Sequence, residues 1–192
     1  MAGRRAGAGL VLAVVGLTAA GCLGSGSQVT VTQTQTITST QTVTTTGSVA
    51  LAKPCQGTDL TAMFALIPNS AGAGQIAYTL TVKNSSQTPC SVQGIPRGTL
   101  LGATGTALPT HIRASGGAGK RIVLPAGASA MAQARFSPDV AGEGDSQSGA
   151  CQSQAHTFQL IAAGGVTEAP IKPPTSVCQR GTLNFAAFDY AG

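Results

Sequence analysis

The sequence predicts an all-β fold, an antiparallel immunoglobulin-like β-sandwich of about seven or eight strands over residues 53–192. Three observations lead there. The 192 residues include 26 Gly and 10 Pro scattered throughout, which leaves few windows for a long helix. Within residues 76–83, Ile76, Tyr78, Leu80 and Val82 alternate with Ala77, Thr79, Thr81 and Lys83, the period of two of a strand with one buried face. Further short runs recur between turn signals, as a sandwich requires.

Taken in order, an early strand is expected at 60–66. The strand at 76–83 then leads through a polar turn at 84–88 into a second strand carrying Cys90 and Val92, and this strand-turn-strand unit reads as an organising hairpin. Gly94-Ile95-Pro96 stops it, because Pro has no N–H to give to a ladder. Strands follow at 99–101, 121–124, 129–136, 156–162 and 181–188, with a turn at Pro125-Ala126-Gly127 and loops at 104–119, 138–149 and 164–175. Those at 104–119 and 138–149 are the expected recognition loops, since long loops on a rigid scaffold are where binding resides.

The N-terminal segment reads as an address. Arg4 and Arg5 precede the apolar run 10–17, too short to span a bilayer, and Ala19, Ala20 and Gly21 lead into Cys22. Residues 1–21 are therefore expected to be a signal peptide and Cys22 the lipidated residue, anchoring an extracytoplasmic lipoprotein to the cell membrane. Small residues let an extended backbone into the peptidase, and the thiol at the membrane surface receives the lipid. Residues 22–52 then form a linker, almost wholly Thr, Gln, Val, Ser and Ile over 28–46, which has no aromatic residue or charge with which to build a core. It is expected to be a disordered stalk that permits O-glycosylation, and residues 23–54 would reach at most about 100 Å.

With Cys22 lipidated, Cys55, Cys90, Cys151 and Cys178 remain, and in an exported domain four cysteines read as two disulfides with three possible connectivities. No C-x-x-C is present, so no metal site is expected. In chain order, Cys55, Asn84, Pro89, Cys90, Gly94, Pro96, Leu124, Pro125, Gly127, Ala130, Phe136, Cys151 and Cys178 resemble the actinobacterial secreted family called domain of unknown function 4232. Ile95 stands where an aromatic would be expected and Phe136 where Trp would be. The resemblance implies the globular part of a bacterial envelope lipoprotein, with no established activity. It also implies the pairings Cys55–Cys90 and Cys151–Cys178, each of which links neighbouring elements.

Charged residues make up 9% of the chain. Removing Arg4 and Arg5 leaves nine basic against six acidic side chains, a formal +3 spread too thinly for a nucleic-acid surface. Residues 115–121, SGGAGKR, resemble a phosphate loop but carry Ala114 at the first Gly position and Arg121 at the magnesium-binding Ser/Thr position. Gly127-Ala128-Ser129-Ala130-Met131 lacks the closing Gly of a nucleophile elbow. His111 and His156 are candidate general bases without a paired carboxylate, and Asp139, Glu143 and Asp145 form an acidic cluster whose spacing fits no EF-hand, read as a solvated loop. Asn84-Ser85-Ser86 matches a glycosylation sequon, read as accidental in a bacterium.

No catalytic residue and no cofactor are therefore expected. The function that follows is a monomeric, non-catalytic module that holds a cell-envelope protein, glycan or small ligand. The alternative is an inhibitory or structural partner of another exported protein, with an enzyme ranked behind both.

Overall fold

A computed structural model describes residues 52–191. The expected signal peptide, Cys22 and the linker up to residue 51 lie outside the described residues. Eleven strands are described: β1 (Leu60–Leu66), β2 (Ile76–Asn84), β3 (Cys90–Gln93), β4 (Gly98–Leu101), β5 (His111–Ala114), β6 (Arg121–Leu124), β7 (Ser129–Phe136), β8 (Ala155–Ala162), β9 (Gly165–Thr175), β10 (Thr182–Phe185) and β11 (Asp189–Tyr190). The fold is all-β with a mostly closed sheet. Its helical content among the described residues is a 3-10 turn at Gly57–Asp59 and one turn at Cys178–Gly181.

One hydrogen-bonded path runs β4-β8-β9-β1-β2-β7-β10-β5, with β11 on β7, and β3 and β6 form a separate ladder. The strict alternation of β2 places it mid-path, between β1 and β7. Opposite its buried Tyr78, Leu80 and Val82 stand Ala134, Ala132 and Ala130 of β7, so large residues on one strand meet small ones on the next. The space above these alanines goes to the aromatic residues. The Phe64 ring lies 5.3 Å from Tyr78, 5.8 Å from Phe158 and from Phe185, and 6.5 Å from Phe136. All five are essentially without solvent contact, each contributing about 1.5–3 kcal/mol by burial. The Tyr78 hydroxyl donates to the Pro173 carbonyl at 2.9 Å, and burial pushes its phenol up while a hydrogen bond with Thr175 pulls it the other way.

Several sequence expectations are corrected. β2 and β3 do not form a hairpin: β2 pairs with β1 and β7, β3 with β6, so 84–88 carries the chain from one ladder to the other. The sheet is not wholly antiparallel, because β9 runs parallel to β1 and β10 parallel to β5. The expected loop 164–175 is β9, the longest strand described. Its Thr167, Ala169 and Ile171 alternate inward, a pattern its three prolines had obscured because their exposed rings need no inward space. Finally, β5 lies inside the expected loop 104–119, and the expected last strand 181–188 is β10 followed by an irregular stretch before β11, bringing the strand count above eight.

The structure joins Cys55 to Cys90, with an S–S distance of 2.05 Å and Cα atoms 4.8 Å apart, and Cys151 to Cys178, with Cα atoms 5.5 Å apart. Both Cα separations are ordinary for a bridge.

Candidate functional site

A concavity that carries charge lies where the β3–β6 ladder meets the end of β8. Its wall is the corner 94–97, which Gly94 turns with φ 78° and which two backbone bonds fasten: the Phe188 N–H donates to the Gly94 carbonyl at 2.9 Å and the Ile161 N–H to the Arg97 carbonyl at 2.7 Å. The Cys55–Cys90 bridge holds residues 54–55 beside β3, so Cys55 also lines the cleft. The cavity measures about 220 Å³, with Ile95, Leu160, Ile161 and Phe188 as apolar wall and Arg97 and Arg121 as its charges. Among the described residues no carboxylate lines it. Around Ile95, Pro96, Arg97 and Ile161 it opens into a broad shallow depression of about 650 Å³ that reaches Ile112 and Ala118.

The hydroxyl in this cleft is already committed. Ser91 Oγ donates to the carbonyl of Ala52 at 3.0 Å, with Lys53 at 3.3 Å, and therefore serves the backbone. Neither histidine is here. His111 is exposed on β5, at one end of the strand path, and His156 is half-buried on β8 near the other end, in a depression without a carboxylate. The cleft thus brings together two arginines and an apolar wall and, among the described residues, no nucleophile beside a base.

The family model for the domain of unknown function DUF4232 matches residues 55–188. The chain belongs to that family. No curated protein and no solved structure matches it.

In this DUF4232 domain the side chains singled out in the sequence fall into structural roles. Asn84 is fully buried where β2 ends. Its Nδ2 donates to the carbonyls of Thr88 at 2.8 Å and Leu124 at 2.9 Å, and its Oδ1 accepts from the Ser86 N–H at 3.0 Å and the Ser86 hydroxyl at 2.8 Å. An amide so placed offers nothing to a glycosyl donor, which gives the sequon a physical reason to be silent. Gly127 and Ala128 form a turn on the carbonyls of Asn84 and Pro125, and β7 follows, not the helix of a nucleophile elbow. The glycine-rich 115–121 segment leads into β6, and its Gly119 (φ 75°) is required by packing: a Cβ there would lie 2.4 Å from Ala187 Cβ.

The acidic cluster is not a solvated loop as a whole. Asp139 and Glu143 are exposed, but Asp145 is buried. Its Oδ2 accepts from the N–H groups of Gly142 and Gln179, and its Oδ1 from the Arg180 N–H at 2.8 Å and from Gln152 Nε2 at 2.7 Å. Burial alone would raise this carboxyl, yet the four donors hold it well below the usual carboxylate range. Asp145 lies close to Cys151 and Cys178, but those sulfurs are bonded to each other and form no metal-ligand set. What Asp145 gathers is a turn that the backbone resists: Gln179 and Arg180 adopt φ 54° and 59°, left-handed conformations that cost about 1–2 kcal/mol per non-glycine residue. Gly181 completes the turn where any Cβ would collide with the Pro109 carbonyl.

Sequence reasoning placed recognition in the loops 104–119 and 138–149, and it missed that Arg97 and Arg121 line one cleft. The second loop contributes nothing to the cleft, being tied down through Asp145. The available signal was the Gly-x-Pro corner followed by Arg97, and the β3–β6 register that sets Gln93 opposite Arg121 cannot be read before the ladder is known.

Proposed function

We propose that this chain is a bacterial envelope lipoprotein, anchored by a lipid on Cys22, whose extracytoplasmic DUF4232 domain is a non-catalytic, immunoglobulin-like sandwich that binds a ligand. The observation that carries the binding reading is the cleft at the 94–97 corner: apolar walls, two arginines, and a serine hydroxyl occupied by backbone carbonyls. Ligand sites have this composition, mostly apolar with a few placed polar groups. Acyl or phosphoryl transfer needs a nucleophile within reach of a base, which the cleft does not supply. Support for the anchor comes from the apolar run 10–17 and the small residues 19–21 before Cys22. No helix among the described residues is long and apolar enough to cross a membrane.

Two variants of the full chain test the proposal. Cys22→Ala is expected to release the protein from the membrane fraction, and retention equal to that of the parent would refute the anchor. His156→Ala is expected to leave the biological phenotype of the lipoprotein intact; loss of that phenotype in a normally folded, normally tethered variant would refute the non-catalytic reading.

A further inference from the structure

We infer that the cleft at the 94–97 corner takes a small carboxylate with an apolar body, its head between Arg97 and Arg121 and its body against Ile95, Leu160, Ile161 and Phe188. The inference rests on the binding reading above and gives that site a ligand class. Three features argue for it. Arg97 comes from the corner before β4 and Arg121 from β6, yet both line a cavity of about 220 Å³ that no carboxylate among the described residues lines, so their charge is not answered within the cleft. Guanidinium is weakly hydrated and carries a planar fork that meets a carboxylate with two parallel N–H···O bonds, a pairing that a rigid apolar wall makes stronger than it would be in open water. The apolar side is also incompletely covered: Ile161 is 55% exposed although it sits on the cleft wall, and an alkyl chain laid from the arginines toward Ile112 would cover it.

The cavity is small, which favours a compact molecule over a polymer, and the shallow depression that shares Ile95, Pro96, Arg97 and Ile161 provides room for a longer tail. Bulk positive charge does not explain the arrangement, since a formal +3 over the mature chain is too small to concentrate anions by itself. The selectivity must therefore be local.

The test uses the exported Cys22→Ala protein, whose described domain is unaltered, so it stands whatever membrane fractionation shows for the anchor. Octanoate, octanol and octylammonium share one tail and differ in head charge. Titrated below their aggregation limits and followed by NMR, octanoate is expected to bind saturably and to shift resonances of Ile95, Leu160 and Ile161, with octylammonium at least about tenfold weaker. Arg97→Gln and Arg121→Gln alter exposed side chains. Each is expected to weaken octanoate by about tenfold while leaving octanol unchanged. Binding of octylammonium as tight as octanoate, unchanged octanoate binding in both Gln variants, or shifts confined to residues away from the cleft would each overturn the inference. Retention on anionic phospholipid vesicles without saturable octanoate binding would also overturn it, and would mark the corner as a membrane-contact face.

Discussion

Two junctions of this domain do the same work with opposite chemistry. At one, near the Cys55–Cys90 bridge, Asn84 carries the chain from β2 toward β3. At the other, beside Cys151–Cys178, Asp145 fastens the loop 142–152 to the left-handed turn at Gln179 and Arg180. The cross-links span 35 and 27 residues and so contribute similarly, about 3–4 kcal/mol each in the chain-entropy picture. The difference lies in the side chain. At residue 84 two backbone carbonyls and two donors converge, and an amide, with two donors and one accepting oxygen, satisfies both kinds. At residue 145 four N–H donors converge and no acceptor, which only an ionised carboxylate matches. A buried side chain is thus selected by the polarity of the backbone groups that the fold leaves unpaired, and the choice decides whether a junction feels pH.

The largest effect is expected at Asn84. Asn84→Ala leaves the buried Leu124 carbonyl without this donor, while the Thr88 carbonyl keeps the Ser86 hydroxyl at 3.0 Å, and at about 1–3 kcal/mol for a stranded buried group the unfolding free energy in urea should fall by roughly 2 kcal/mol. A loss below about 1 kcal/mol would mean that water replaces the amide and that the junction is not what fixes the crossing. Asn84→Asp sharpens the comparison further. It places carboxylate oxygen against two carbonyls in a site without solvent contact, so its folded pKa should rise above the unfolded value near 3.9. The stability of this variant should therefore be greatest at acid pH and fall as pH rises through the carboxylate range. Denaturation midpoints that do not depend on pH in this variant would contradict that account.

These junctions also show how far the sequence could be read. β6 and β7 have the bounds that alternation predicts, since each alternates cleanly between turn residues. β9 was hidden because Pro170, Pro173 and Pro174 signal a loop in sequence, whereas in the fold its inward positions belong to Thr167, Ala169 and Ile171 and the proline rings face outward. The turn after Asn84 was legible, but its destination was not: whether a strand returns to its predecessor or crosses to another ladder depends on the Leu124 carbonyl, 40 residues away. Asp145 looked like one of three acidic loop residues because two of its four partners lie at 179 and 180, in a conformation that propensity disfavours. The cleft was illegible for the same reason. Arg97 and Arg121 line one cleft only once β3 is paired with β6 and the corner 94–97 is fastened to β8.

The smaller and more diagnostic effect belongs to Asp145→Asn. Whichever way the amide is turned, its NH2 group faces two N–H donors: Gly142 and Gln179 on one side, Arg180 and Gln152 on the other. Two of the four bonds are lost and two donors are pressed against a donor, so the midpoint of thermal unfolding should drop near neutral pH. The pH dependence separates this from simple damage. In the parent the folded carboxyl is held below its unfolded value, so its contribution is full above the ordinary carboxylate range and is lost as pH falls toward the folded pKa. The parent midpoint should decline as pH drops below about 4, and the Asn variant, which has no such proton to take up, should decline less. The two curves should therefore converge in acid, opposite in sign to the trend expected of Asn84→Asp. Parallel curves from neutral to acid pH would show that Asp145 stabilises by shape alone, and that the four donors do not hold its carboxyl in the charged form.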